Sequence, residues 1–256
     1  MREAHDSMPV KRTITGKRKR SFPAKMSSAK LEAQVKRLMR LRQEKKYAES
    51  TVEGNIGQVD ASLSGALVAP LGPAIIQGDG EGQRIGNSIT ATGLVWKQQL
   101  SKQINGIGPR RVRTHIVRVL GDNPTTTSVL EGILDVNPLS GVRDYFSSLN
   151  YTMMADKRMT ILGTKETKLT SNFNDTMNSA YERSTGEMTI PIKFEEQTLR
   201  FERDSDLSFS NVHYFVISLC DAGNKNATAS SLPVVVSIQD SGVISKGYMR
   251  LWYTDS

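Results

Sequence analysis

The sequence predicts an all-β sandwich of eight or nine strands, a jelly roll or another Greek-key arrangement, behind a basic N-terminal arm and helix. Three observations carry this. From about residue 51, short runs rich in Val, Ile, Thr and aromatics alternate with Gly, Pro, Asn, Asp and Ser. No strand–helix alternation of the kind that builds parallel sheets is present. The charge is also segregated. Residues 1–46 hold 15 Lys/Arg and 4 Asp/Glu, net +11, whereas residues 47–256 are net −3, within a whole-chain charge of +8. A basic arm on a near-neutral body points to a polyanionic partner and away from a basic enzyme surface. At 256 residues and 38% hydrophobic content, the chain can bury a full core.

Residues 1–27 carry Lys11, Arg12, Lys17, Arg18, Lys19, Arg20 and Lys25, interrupted by Pro9, Gly16 and Pro23. With few apolar side chains, such an arm cannot repay its ordering entropy and is expected to be disordered when free. Lys11-Arg12 and Lys17-Arg18-Lys19-Arg20 are read two ways on the same charges, as a nuclear import signal or as a plain nucleic-acid-binding arm. The start, Met1 to Asp6, has no apolar core, so no signal peptide is expected. No apolar run approaches the roughly 18–20 residues that cross a bilayer, so no membrane partner is expected.

Residues 28–48 read as a basic amphipathic helix. Ser28 suits its cap, Glu32 its first turn, and Leu31, Val35, Leu38 and Leu41 recur at helical spacing. Lys30, Lys36, Arg37, Arg40, Arg42, Lys45 and Lys46 cover most of the remaining surface. The helix could lie on a membrane, coil with a partner, or face nucleic acid while its stripe packs on neighbours. The narrow stripe without aromatics least suits a membrane.

The β-rich body, residues 49–256, should place strands near 51–58, 64–69, 88–100, 111–120, 158–164, 187–201, 212–220, 233–239 and 243–253. The segment 212–220 is apolar on both phases, as a central strand is. Met188, Ile190, Ile192 and Phe194 alternate, then the phase shifts to Leu199 and Phe201, which predicts a bulge near 195–198. Pro191, on the outward phase, suits an edge strand. Ser128-x-x-Glu131 reads as a capping box opening a helix, with a second helical turn expected over 142–146.

No catalytic constellation is legible. His5, His115 and His213 lie apart in sequence without metal spacing, and Cys220, the single cysteine, reads as a small buried residue that excludes a disulfide framework. Gly78 to Gly86 does not fit a phosphate loop, since no Gly-Lys-Ser/Thr follows and Asp79 and Glu81 would repel phosphate. Asp221 to Asn226 lacks the glutamate of a calcium loop at Leu232. Arg111, Arg113 and His115 share one face of a strand, which is either a solvated, salt-bridged face or a second phosphate-contacting surface.

Several motifs then fall in a familiar order: Val35 to Met39 with Glu44 to Ala48, Ile75-Ile76-Gln77-Gly78-Asp79 with Gln83-Arg84 and Gly86, Thr126-x-Ser128-Val129-Leu130-Glu131, Lys157 to Leu162, and Tyr253-Thr254-Asp255. Over about residues 30–256 the chain resembles the coat proteins of small icosahedral viruses, satellite tobacco necrosis virus among them, and the single jelly-roll capsid proteins of circular single-stranded DNA viruses. It departs from the plant satellite pattern in its longer arm and in extra residues around 106–110 and 171–186.

The resemblance implies an eight-stranded jelly roll that forms a homo-oligomeric shell of about sixty copies with the arms inside. Such a shell would gather about 660 arm charges, enough to match a genome of roughly one to a few kilobases. The import-like clusters favour single-stranded DNA over RNA, with host import receptors as further partners. The same family places calcium at subunit junctions, and the matching positions are Asp79 and Asp255. Symmetry-related chains would have to complete the six to eight oxygens that calcium takes.

Overall fold

The computed structural model describes residues 28, 31–32, 45–57, 59, 65–80, 82–102, 109–121, 124–170, 185–221 and 243–255. Two compact units result, Met1–Gln43 and Glu44–Ser256. In the first, Ser28, Leu31 and Glu32 are helical and exposed. The arm and most of the basic helix lie outside the described residues, as does the strand expected over 233–239.

The described residues of the second unit form eight strands: β1 Lys46–Ile56, β2 Leu67–Pro70, β3 Ser88–Lys102, β4 Arg110–Leu120, β5 Met159–Leu169, β6 Thr185–Arg200, β7 Val212–Cys220 and β8 Val243–Asp255. They form two antiparallel sheets with orders β1-β8-β3-β6 and β2-β7-β4-β5. Apart from β4 and β5, consecutive strands lie in opposite sheets. This interleaving of two Greek keys is the jelly roll. Lys46 to Ala48 were expected to end the basic helix but are strand. Their buried–exposed–buried alternation against Tyr253, Trp252 and Leu251 of β8 satisfies them better than a helical turn would.

Registers divide the sandwich into two ends. Ile56 and Lys102 both pair with Val243, Ser101 pairs with Thr185, and Arg110 pairs with Leu169. Ile56, Lys102, Arg110, Leu169, Thr185 and Val243 therefore lie at one end. At the other end Lys46 pairs with Tyr253, Ile89 with Asp255 and Ser88 with Arg200. That end holds the start of β1 and the described residues of the connections 71–87 and 201–211.

The bulge in β6 is where the phase shift placed it. Ala91 pairs with Gln197 and Gly93 with Lys193, so the surplus residues sit at 194–196. β6 is an edge strand, and Pro191 faces outward on it. β7 is central and almost wholly buried, ending in buried Cys220.

The main core lies between the sheets, around Leu94, Trp96, Ile116, Val216 and Leu251. A second cluster lies on the outer face of the β2-β7-β4-β5 sheet, where residues 124–158 fold over Val117, Val119 and Ile217. That stretch holds α1, Thr126–Ile133, and α2, Tyr151–Asp156. The cap of α1 is Thr125, three residues before the expected Ser128, and its hydroxyl accepts from the Ser128 N–H at 3.2 Å. The helical turn expected over 142–146 is a hydrogen-bonded turn around the Asp144 carboxylate. That group accepts from the Asn137 amide, the Ser140 hydroxyl and the Phe146 N–H. Such a local acceptor competes with helix.

A buried polar cluster pins the two sheets to each other. Gln98 Nε2 donates to Ser245 Oγ at 2.7 Å and Ser218 Oγ at 3.1 Å, while Thr114 Oγ1 and Trp96 Nε1 donate to Gln98 Oε1. Gln98→Ala removes the acceptor of Trp96 Nε1 and the donor to Ser245 Oγ inside the core, while Thr114 and Ser218 keep each other at 2.8 Å. Its unfolding free energy in a urea titration should fall by about 2–5 kcal/mol. A loss below about 1 kcal/mol would contradict this role.

Candidate nucleic-acid interface

Described residues carry the root of the basic segment. Lys46, the first residue of β1, is only 7% exposed, with its ammonium 2.8 Å from Asp255 Oδ2. It also donates to the Gln83 carbonyl at 2.8 Å. The other carboxylate oxygen of Asp255 accepts from the Ile85 N–H at 3.1 Å. The Tyr253 hydroxyl donates to the Gly82 carbonyl at 2.7 Å, and burial, with the Asp255 charge, pushes its pKa up to about 12. The beginning of β1 and the end of β8 are thus fastened to one loop, residues 82–85. As part of the basic helix that could face nucleic acid, Lys46 is expected on the surface; its ammonium is instead buried and paired with Asp255. Lys45, one residue earlier, is exposed.

That loop is held from within by Arg84, whose side chain is fully buried. Nη2 donates to the carbonyls of Arg203, Asp204 and Asp206 at 3.1, 2.8 and 3.1 Å. Nη1 donates to the Gly86 carbonyl and to Asn87 Oδ1. The guanidinium lies 4.0 Å from the centre of the Phe201 ring. No carboxylate oxygen neutralises it in these contacts; carbonyl dipoles and the ring face do. Gly82 at φ +73° and Gly86 at φ +81° give the left-handed turns on either side of it. The Gln-Arg-x-Gly motif is therefore a structural knot, with Gln83 Oε1 also accepting from the Gly80 N–H at 2.9 Å.

Asp79 is exposed on the turn before this knot, while Asp255 is engaged by Lys46 and Ile85. Among the described residues of a single chain, no group of three His, Cys, Asp or Glu is arranged to hold a metal ion.

On β4, Arg111 is exposed, whereas Arg113 is drawn onto the protein. The Arg113 guanidinium lies 4.5 Å from the Tyr145 ring centre, and its Nε is 4.0 Å from Glu166. His115, next on that face, is 2% exposed, with Nδ1 2.8 Å from Thr164 Oγ1. Burial, helped by the Arg113 charge, lowers its pKa to about 4. Lys11, Arg12, Lys17 to Arg20, Lys25, Lys30, Lys36, Arg37, Arg40 and Arg42 lie outside the described residues. The Lys46–Asp255 pair spans 209 positions and has no sequence signature. The burial of Arg84 has one faint signal, the glycines around it.

No family model matches this chain, and no curated protein matches it. Among solved structures it is similar to the decameric BFDV capsid protein, at 10% identity over 83% of this chain and 97% of that one, with TM-score 0.26. The 60-mer of the BFDV capsid protein gives 7% identity over 83% and 92%, with TM-score 0.29. PBCV-1 VP54, fitted into a reconstruction of the virophage Sputnik, gives 10% identity over 84% and 44%, with TM-score 0.24. With TM-scores this low these likenesses decide nothing about function, and the jelly roll rests on this chain's own strand order.

Two outcomes follow from the site. Lysine cannot serve the carbonyls of Arg203, Asp204 and Asp206 together with Asn87. Arg84→Lys should lower stability by about 2–4 kcal/mol and speed amide exchange across 76–87 and 201–206 ahead of β7. Equal exchange in the two loops would contradict the knot. His115 is neutral in the fold and binds a proton more readily when unfolded. Its contribution is therefore complete above about pH 6.5 and fades as pH falls toward 4, on the order of 1 kcal/mol per pH unit. His115→Gln should flatten the stability–pH curve over that window, and an unchanged slope would contradict the assignment.

Proposed function

We propose that this chain is a viral capsid protein: its jelly roll assembles into a small closed shell, and residues 1–45 neutralise a packaged single-stranded genome. One observation carries the reading. Residues 1–45, with 14 Lys/Arg against 4 Asp/Glu and so net +10, run directly into the edge strand of a jelly roll whose own sequence from residue 47 is net −3. A binding module that works alone needs no such division. A wall that must contact other copies of itself on one side and a polyanion on the other does.

The mechanism is charge neutralisation with release of counterions, without reading of base sequence. Arms gathered in a closed shell repel one another until phosphates fill the space between them, so assembly and packaging are coupled. Arg111, exposed on β4, adds to the arm. The shell holds about sixty copies in cyclic contacts that close on themselves. The clusters Lys11-Arg12 and Lys17 to Arg20 serve nuclear import before assembly. A nuclear stage fits a circular single-stranded DNA genome better than a satellite RNA.

Electron microscopy of the purified chain should show uniform particles about 20 nm across. Monomers or small oligomers at every salt concentration would refute the shell. Residues 1–27 hold 8 Lys/Arg and 2 Asp/Glu, more than half of the arm's net charge. Their deletion should cut nuclease-protected nucleic acid per particle by about twofold or more. Unchanged packaging would refute the arm's role, and digestion by DNase or RNase after opening the particles identifies the genome.

A further inference from the structure

We propose that Lys46 and Asp255 form a latch that positions the basic segment, fixing the point at which residues 1–45 leave the sandwich. Packaging then depends on two residues that touch no phosphate. The inference rests on the capsid reading above and adds a device that makes it work.

Among the described residues β1 is an edge strand, bonded along one side only, to β8. Lys46 is its first residue, and the terminal residues of an edge strand fray unless something ties them down. Each residue released would move the origin of the arm by about 3.3 Å. The side chains at this point oppose that release. The buried Lys46 ammonium bridges Asp255 Oδ2 and the Gln83 carbonyl, both at 2.8 Å. Asp255 Oδ1 in turn holds the Ile85 N–H. The anchor is stiff because Arg84, between Gln83 and Ile85, is fastened to the carbonyls of 203, 204 and 206.

Lys46 is only 7% exposed, so loss of Asp255 would leave a largely buried ammonium without this partner, and the pair resists opening more than an exposed pair would. The exposed charge resumes one residue away, at Lys45. The latch thus marks the boundary between charge used for structure and charge presented to the polyanion. It also neutralises Asp255, a carboxylate that would otherwise repel phosphate at the root of the arm. Pull from a bound polyanion acts along the chain at Lys45, where the latch keeps it from peeling β1 off β8.

The test uses the full chain with Lys46→Met, Asp255→Asn and the conservative Lys46→Arg. Asp255→Asn retains an acceptor for Ile85 and removes only the charge, so it is the milder variant if Lys46→Met fails to fold. The first readout is amide exchange in the unassembled protein. The latch predicts about tenfold faster exchange over 46–50 in Lys46→Met and Asp255→Asn, with β3 and β7 unchanged. Unaltered exchange over 46–50 overturns the latch whether or not the chain forms particles, so its failure is separable from failure of the capsid reading.

The second readout is nuclease-protected nucleic acid at equal particle yield. It should fall about threefold or more in the two disrupting variants and stay near wild type in Lys46→Arg. Faster exchange with unchanged packaging would overturn the positioning role.

Discussion

A guanidinium does not give up its proton inside a protein, so a buried arginine obliges the chain to surround it with acceptors. Arg84 imposes that demand at the end of the sandwich where the basic segment begins. Connections 71–87 and 201–211 bend to present four carbonyls and the Asn87 side-chain oxygen, and Phe201 lends its ring face. Once these loops are fixed, residues 82–85 are a rigid ledge. On it rest Lys46 from β1 and Tyr253 and Asp255 from β8. The first and last residues of the strand framework depend on one charge buried between them.

The rest of the sandwich is organised by its two outer faces. Residues 124–158 fold back over the β2-β7-β4-β5 sheet, burying the outward phase of β4 beyond His115 and drawing Arg113 against Tyr145. Among the described residues no element packs on the outer face of the β1-β8-β3-β6 sheet, where Lys97, Arg250, Glu49 and Glu53 are among the outward side chains. Exposed pairs such as Arg250–Glu49 and Lys246–Glu53 add little stability but keep that face close to neutral. Between the sheets, the Gln98 cluster ties β3 and β8 to β4 and β7. A one-residue slip of any of these strands would leave buried donors unpaired, so the cluster protects register where apolar packing alone tolerates shifts.

Much of this was legible in the sequence because strand period and breaker residues are local signals. Pro191 announced an edge, and the phase change from Phe194 to Leu199 announced a bulge. The two-faced apolar run 212–220 announced a central strand. Legibility failed where a residue's partner is remote or where two local signals compete. Lys46 looked like one more cation at the end of a helix because Asp255 lies at the far end of the chain. Thr125 and Ser128 are both good caps, and the choice between them is made by how α1 packs over Val117 and Ile217. Helix α2, only six residues long, is capped by Asn150, which accepts from the Met153 N–H. It is too short for periodicity to reveal. The Gln-Arg-x-Gly motif was visible as a pattern, but its chemistry could not be read, since nothing in a sequence distinguishes a buried arginine from a solvated one.

Charge division along the chain carries the central proposal, that one segment meets a genome while the jelly roll forms a wall. A cryo-electron reconstruction of particles from the full chain tests it most directly. The account predicts that the Lys46–Asp255 end of every jelly roll opens onto the inner surface, with nucleic-acid density continuing from Lys45. Closed particles with this end on the outer surface, or with no nucleic-acid density beside it, would contradict it.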